Sequence, residues 1–290
     1  MKTNTRSHRA GISFLISFII LLGTFGCKKN SSFPDKHFDL PERGVCAHRG
    51  ASVTHPENTL PAFREAIRLG AHMIEFDVRM TKDSEPVIMH DATVDRTTNG
   101  SGKVCELMLA ELKELDAGAW KDAKFEGTKV PTLTEALEIM PKNIWLNIHL
   151  KGDAEAGGKT AGIVARAGRI HQAFLACKRE AASAAKKVDG RIMICNMERQ
   201  SDTGEYVSDT IAMGADFIQL LKVRAEDGLA EYGKKLKAAG IRINYYGTNS
   251  PDELKQLFKV GVDFPLVDDV EKMVRAASEV GVLPLKLQFE

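Results

Sequence analysis

The sequence predicts an α/β fold, a (β/α)8 TIM barrel with an insertion after the third strand, and three observations lead there. Short runs rich in β-branched and aromatic residues alternate with amphipathic stretches, the pattern of a parallel sheet joined by crossover helices. The β-like runs number eight. Residues 44–290 come close to the ~250 usual for such a barrel, although length alone also accommodates two smaller domains.

The strands are expected, in order, at Gly44–His48, Met73–Arg79, Pro86–His90 and Asn143–Leu150. The remaining four fall at Arg191–Asn196, Asp216–Leu220, Ile241–Tyr246 and Phe264–Val267. Period supports helices between them: Leu60, Phe63 and Ile67 share one face, as do Leu254, Leu257 and Phe258. Asn58-Thr59 and Ser250-Pro251 read as helix starts. Gly70, Gly240 and Gly261 each follow a helix and precede a strand, as C′ glycines do. The alternation breaks once, between His90 and Asn143, where Asn99-Gly100-Ser101-Gly102, a short helix near Leu107–Leu115 and Pro131 occur. Residues of about 91–130 are read as an insertion on a βα loop, at the end of a barrel where loops build active sites.

Ahead of the barrel, Lys2, Arg6 and Arg9 precede an uncharged apolar run from Gly11 to Leu22, then Gly23-Thr24-Phe25-Gly26-Cys27. A basic start, a short apolar core and small residues describe a secretory signal peptide over residues 1–26. The run is short for a membrane span, which needs ~20 residues. Cys27, directly after Gly26, is similar to the acylated cysteine of bacterial lipoproteins, though Thr24 stands where such sites usually carry Leu or Val. The expectation is an exported protein, periplasmic or an outer-membrane lipoprotein held to the membrane by an N-terminal lipid anchor; simple export and a retained anchor are the alternatives. Residues 27–43, polar and holding Pro34 and Pro41, read as a tether.

Net charge is +1 with no long basic run, which argues against a nucleic-acid partner. Cys46, Cys105, Cys177 and Cys195 form no Cys-x-x-Cys pair, so zinc-finger spacing is absent. Cys46 and Cys195 lie within apolar runs and read as small buried hydrophobes.

Chemistry concentrates at the ends of the early strands. Along Met73–Arg79 alternate side chains share a face, so Glu75, Asp77 and Arg79 point one way and Ile74, Phe76 and Val78 the other. With the apolar set under the helices, two carboxylates face inward, where they repel unless a cation or proton lies between them. A hard divalent ion resolves this, and so does an internal salt bridge to Arg79 or Lys82. His48-Arg49-Gly50 ends the first strand and His90-Asp91 the third. Two imidazoles at one rim can supply a base and an acid, and the guanidinium fork of Arg49 suits a phosphate.

Ala47-His48-Arg49-Gly50, His55-Pro56-Glu57-Asn58-Thr59, Glu75-Phe76-Asp77-Val78, His90-Asp91 and Asp95-Arg96-Thr97-Thr98-Asn99-Gly100 occur in that order. Leu115-Asp116-Ala117-Gly118 and Val130-Pro131-Thr132-Leu133 follow, and Gly261-Val262-Asp263 leads to Asp268 near the end. This series resembles the successive motifs of the glycerophosphodiester phosphodiesterase family, densely from Gly44 to about Leu137 and loosely afterwards. The resemblance implies hydrolysis of a small glycerophosphodiester to sn-glycerol 3-phosphate and an alcohol. It implies Glu75 and Asp77 as ligands of Ca2+ or Mg2+, His48 and His90 as the catalytic acid–base pair, and Arg49 and Lys151 on the phosphate.

Two positions depart from the family pattern. In Asn147-Ile148-His149-Leu150-Lys151, Lys151 matches, but His149 stands where the family carries a third, glutamate ligand. His149 either ligates through a ring nitrogen, favouring a transition ion, or contacts substrate. Tyr246 stands where a tryptophan is frequent and offers either an apolar wall for substrate or ordinary barrel packing. Trp120 and Phe125 are open between lid contacts and loop anchors. Two alternatives remain: a phospholipase D-like enzyme releasing cyclic phosphates from lysolipids, and a catalytically retired binder of phosphodiesters or glycans.

Overall fold

Parallel strands can join only through a crossover, and the chain supplies one between each consecutive pair of barrel strands. The computed structural model describes residues 1–3, 38–225 and 227–289, and Phe38–Glu290 form one unit. The expected export signal, Cys27 and most of the tether lie outside the described residues. In chain order the elements are β1 (Cys46–His48), α1 (Leu60–Arg68), β2 (Met73–Met80), β3 (Pro86–Ile88), α2 (Leu109–Glu114), α3 (Leu133–Ile139) and β4 (Trp145–Leu150). Then follow α4 (Ala154–Arg166), β5 (Ala173–Cys177), α5 (Arg179–Val188), β6 (Met193–Asn196), α6 (Thr203–Met213), β7 (Phe217–Leu221) and α7 (Lys222–Ala225). The last are α8 (Leu229–Ala238), β8 (Arg242–Tyr246), α9 (Pro251–Lys259), β9 (Phe264–Val267) and α10 (Val270–Ser278).

The sheet runs β1-β9-β8-β7-β6-β5-β4-β2, and β1 pairs in parallel with β2, closing an eight-stranded parallel barrel. The expected fold class therefore holds, with two corrections to its strands. Pro86–His90 is not a barrel strand: β3 runs antiparallel to β2, with Val78 opposite Ile88 and Met80 opposite Pro86. Only residues 81–85 separate the two strands, far short of the dozen or so that a parallel crossover needs. The true barrel strand between β4 and β6 is β5, a run absent from the expected set. The insertion thus follows the third strand of the chain but connects neighbouring barrel strands, β2 and β4.

Local signals explain the elements. Thr59 and Ser250 cap α1 and α9 through their side chains, and Pro61 and Pro251 stand in the first turns, where the missing N–H costs nothing. Gly70, Gly240 and Gly261 adopt positive φ beyond their helices. Alternation places Ile74, Phe76 and Val78 against Phe63, Leu133 and Leu137 of the helical shell. Inside the ring, Met73, Trp145, Phe174, Phe217 and Phe264 form an apolar floor, with Phe174 and Phe217 stacked at 3.8 Å. Cys46 and Cys195 are buried there as expected. With its lower half filled, the barrel can hold a site only at the C-terminal ends of its strands.

Candidate functional site

Glu75 and Asp77 are 2% and 1% exposed, so neither charge is answered by water. The answer comes from β4, whose His149 lies in register with Asp77. His149 Nδ1 is 3.2 Å from Asp77 Oδ1 and 3.5 Å from Glu75 Oε1. Lys151 Nζ is 3.0 Å from the same Asp77 oxygen and 3.1 Å from His149 Nδ1. On the other side Asn58 Nδ2 donates to Asp77 Oδ2 at 2.9 Å, while Asn58 Oδ1 accepts from the Asp77 N–H. Burial pushes the Asp77 carboxyl up, but His149, Lys151 and Asn58 outweigh it and hold the group well below the usual carboxylate range. For His149, burial lowers the pKa and the hydrogen bonds to Asp77 and Glu75 raise it by more, leaving it above the usual value. Arg79 does not neutralise the acid pair as a salt bridge; its Nε donates to the His90 carbonyl at 2.9 Å.

Glu75, Asp77 and His149 each offer one donor atom, all within 4.8 Å of one another. Asp77 Oδ1 is buried, and the groups that approach it are His149 Nδ1 and Lys151 Nζ. Two buried carboxylates and an imidazole that converge in this way fit a divalent cation, and the ring nitrogen moves the set away from an all-oxygen preference. Lys151, against the same oxygen, already offsets part of the negative charge.

His48 ends β1, in register with Glu75. Its Nδ1 lies 2.7 Å from Asp268 Oδ1, and Asn249 holds that aspartate by donating Nδ2 to Oδ2 at 3.1 Å. Burial pushes the His48 pKa down; the Asp268 hydrogen bond and the Glu75 charge push it up further, so it ends above the usual value. The Tyr246 ring meets His48 edge-on at 5.0 Å, at the mouth. The turn after His48 is tight: Arg49 adopts φ 58°, and a Cβ on Gly50 would stand 2.8 Å from the Ala62 backbone. Arg49 is thereby turned across the mouth. Its N–H donates to Glu75 Oε2 at 3.1 Å and its guanidinium to Glu57 Oε1 at 2.8 Å, with Nε 3.4 Å from Asp77 Oδ2.

His90 lies just beyond β3, where the Met89 N–H bonds to the Asp77 carbonyl at 2.9 Å. A strand outside the barrel thus still holds the backbone just before this histidine against Asp77. Its Nδ1 is 2.7 Å from Asp91 Oδ1. The Arg96 hydrogen bond, opposed by burial and helped by His90, draws Asp91 down to about 2.

The structure therefore brings Glu75, Asp77, His149, Lys151 and Arg49 into one contacting cluster, with His48, Tyr246 and His90 at its margin. Reading by residue assigned no role to Glu57, Asn58, Asp91, Arg96, Asn249 or Asp268. Five of these, all but Asn249, stand in the quoted series, and their place in it is the available signal. Asn249 carries no such signal, because only the closure of the barrel brings it to Asp268. Asn147, expected to face inward, is fully buried with neither side-chain polar atom hydrogen-bonded. Trp120 and Phe125 anchor loops: Trp120 Nε1 donates to Ala117 O at 2.9 Å, and Phe125 packs on His55 at 4.9 Å.

Residues 48–272 match the model of the Glycerophosphoryl diester phosphodiesterase family. A glycerophosphodiester phosphodiesterase of Caldanaerobacter subterraneus is 51% identical over 108 residues, 37% of this chain and 44% of that relative. The chain spans less than half the length of the curated relatives matched over this stretch. A solved glycerophosphodiester phosphodiesterase from Agrobacterium tumefaciens is 28% identical, with a TM-score of 0.70 over 81% of this chain and 99% of that one. An Oleispira antarctica phosphodiesterase, solved with the product sn-glycerol-3-phosphate, is also 28% identical, with a TM-score of 0.72 over 82% of this chain and 97% of that one.

Proposed function

The chain belongs to the glycerophosphoryl diester phosphodiesterase family, and from that premise we propose that it hydrolyses glycerophosphodiesters to sn-glycerol 3-phosphate and an alcohol. One observation carries the reading: two histidines, each with Nδ1 held by a carboxylate, stand at the mouth that contains a buried acid pair. Holding Nδ1 fixes the ring and leaves Nε2 as the working nitrogen, the arrangement that suits a histidine to proton transfer.

Glu75, Asp77 and His149 would hold a divalent cation, which would supply Lewis-acid stabilisation to the phosphoryl oxygens. Arg49 and Lys151 bind the phosphate from the same side, where both already lie against Asp77. Tyr246 provides an apolar wall beside His48. His90 accepts the proton of the attacking hydroxyl, from the neighbouring glycerol or from water. His48, whose Nδ1 is held by Asp268, donates from Nε2 to the leaving alkoxide. When the glycerol hydroxyl attacks, a cyclic phosphate forms first, and water opens it with the two histidines exchanging roles.

Phosphorus NMR of the purified protein with glycerophosphocholine tests this, because a monoester product is resolved from a cyclic one. The expected result is sn-glycerol 3-phosphate, with turnover abolished in His48→Ala and His90→Ala while circular dichroism is unchanged. An accumulating cyclic phosphate would favour the phospholipase D-like alternative. Wild-type turnover in both variants would remove the acid–base assignment, and tight binding without turnover would favour the retired binder. The N-terminal segment supports a place outside the cytoplasm, in the periplasm or as an outer-membrane lipoprotein acylated at Cys27. Palmitate labelling that survives Cys27→Ala would overturn that anchor.

A further inference from the structure

Resting on the hydrolase reading, we infer that Arg96 is a positioning residue that locks His90 and Arg49 into one frame across the active-site mouth. The frame is an alternating chain of charges. Arg96 Nε donates to Asp91 Oδ2 at 2.6 Å, and the other oxygen of Asp91 holds His90 Nδ1 at 2.7 Å. The two terminal nitrogens of Arg96 donate to both oxygens of Glu57, at 2.9 and 2.7 Å, and Glu57 Oε1 holds the Arg49 guanidinium at 2.8 Å. A single guanidinium thus spans the carboxylates that orient the phosphate-binding arginine and one of the two histidines.

The end points of this chain are themselves fixed. The Asp95–Gly102 loop is closed by Thr98 Oγ1 donating to Val94 O, Gly102 N to Asp95 Oδ2, and Asn99 N to Asp116 O. Glu57 is pinned by its neighbour, because the Asn58 N–H bonds to Arg49 O and its amide bonds to Asp77. Stability is a poor explanation for such an arrangement. The Arg96 side chain is 46% exposed, so water competes with its ion pairs and discounts their contribution to stability. Geometry is the better one, since a loose supporting shell around an acid–base group lowers the rate without unfolding the protein. The planar fork is essential, because a lysine ammonium cannot reach two carboxylates with fixed directions.

The test is the intact protein carrying Arg96→Ala or Arg96→Lys. Both variants should melt close to the wild type. In each, kcat should fall by about 10–100-fold, the usual cost of losing a supporting hydrogen-bond partner, with KM changing far less. Guanidinium added below denaturing concentration should restore much of the rate to Arg96→Ala, which a merely structural role would not permit. The downfield proton resonance of the His90–Asp91 hydrogen bond, read without substrate, should weaken or move in both variants. Full activity in Arg96→Lys, absence of guanidinium rescue, or an unmoved resonance would each overturn the role. If the alanine variant fails to fold, the lysine variant decides by rate and resonance alone. A wild type inert toward every glycerophosphodiester would defeat the hydrolase reading instead, and the resonance would still decide the place of Arg96.

Discussion

A histidine in a metal set otherwise made of carboxylates changes both the charge and the hardness of the donors. In the cluster at the ends of β2 and β4, His149 Nδ1 sits 3.2 Å from Asp77 Oδ1, close enough to share a cation with it. One fewer negative charge weakens binding of Ca2+ and Mg2+, which are held chiefly by charge and oxygen count, and imidazole favours ions such as Mn2+ and Zn2+. The chelated protein should therefore bind and respond best to Mn2+ or Zn2+, and His149→Glu should move the preference toward Ca2+ or Mg2+. Calorimetric titration of the two proteins with all four ions reads this directly. Identical preferences would place His149 outside the ligand set. At this scale the sequence was informative where chemistry follows period-two alternation, as along Glu75-Phe76-Asp77 and Asn147-Ile148-His149. It carries no signal for a partner that comes from a distant loop, as with Asn249, which holds the Asp268 carboxylate behind His48.

Packing between elements explains what was harder to see. β5 carries no alternation that marks it as a strand, because its five residues are all buried. Its neighbour α4 carries Gly157 and Gly158 in its interior, where glycine argues against a helix by about 1 kcal/mol each. Those glycines differ in purpose. A Cβ on Gly157 would lie 2.2 Å from Ala181 O, so α4 and α5 approach backbone to backbone there, whereas on Gly158 it would meet nothing nearer than a Val188 methyl at 4.0 Å. Gly157→Ala should consequently destabilise the protein by about 1–3 kcal/mol, despite the gain in helix propensity, because backbone must move. Gly158→Ala should stabilise it by about 0.5–1 kcal/mol. Urea unfolding of the pair checks this, and stabilisation by both would mean the helices are not in close contact. The consequence reaches the site, since β5 is the strand that flanks β4 and its His149. β3 shows the opposite case: Pro86–His90 reads correctly as a strand, and only the shortness of the preceding turn betrays its direction.

At the scale of the whole molecule, the two ends of the barrel use histidine in opposite ways. At the mouth His48 and His149 are shifted toward the charged form. At the opposite end His72, 3% exposed, accepts the Val45 N–H at Nδ1 and donates Nε2–H to Leu283 O, tying the C-terminal tail beneath β1 and β2. The tail is also held where Leu285 N bonds to Gly70 O and Asn143 bonds to Lys286 and Gln288. Protonating Nδ1 would break the bond from Val45, and burial holds the His72 pKa below its ordinary value. The sign follows. Below about pH 6.5 an unfolded histidine takes up a proton that folded His72 refuses, so its contribution is present above that pH and lost as pH falls toward the folded pKa. His48 and His149 act in the reverse sense, their contributions present below about pH 6.5 and lost as pH rises through their folded values. Comparison with His72→Gln cancels those two and isolates the clasp. The wild type should exceed this variant in stability by about 1–3 kcal/mol near neutrality, the cost of leaving a buried hydrogen-bonding group unpaired. That gap should narrow as urea unfolding is repeated from about pH 7 down to about pH 5, while turnover at neutral pH, set at the far end of the barrel, stays nearly constant. A gap of constant size across this range would mean that His72 holds the tail without titrating.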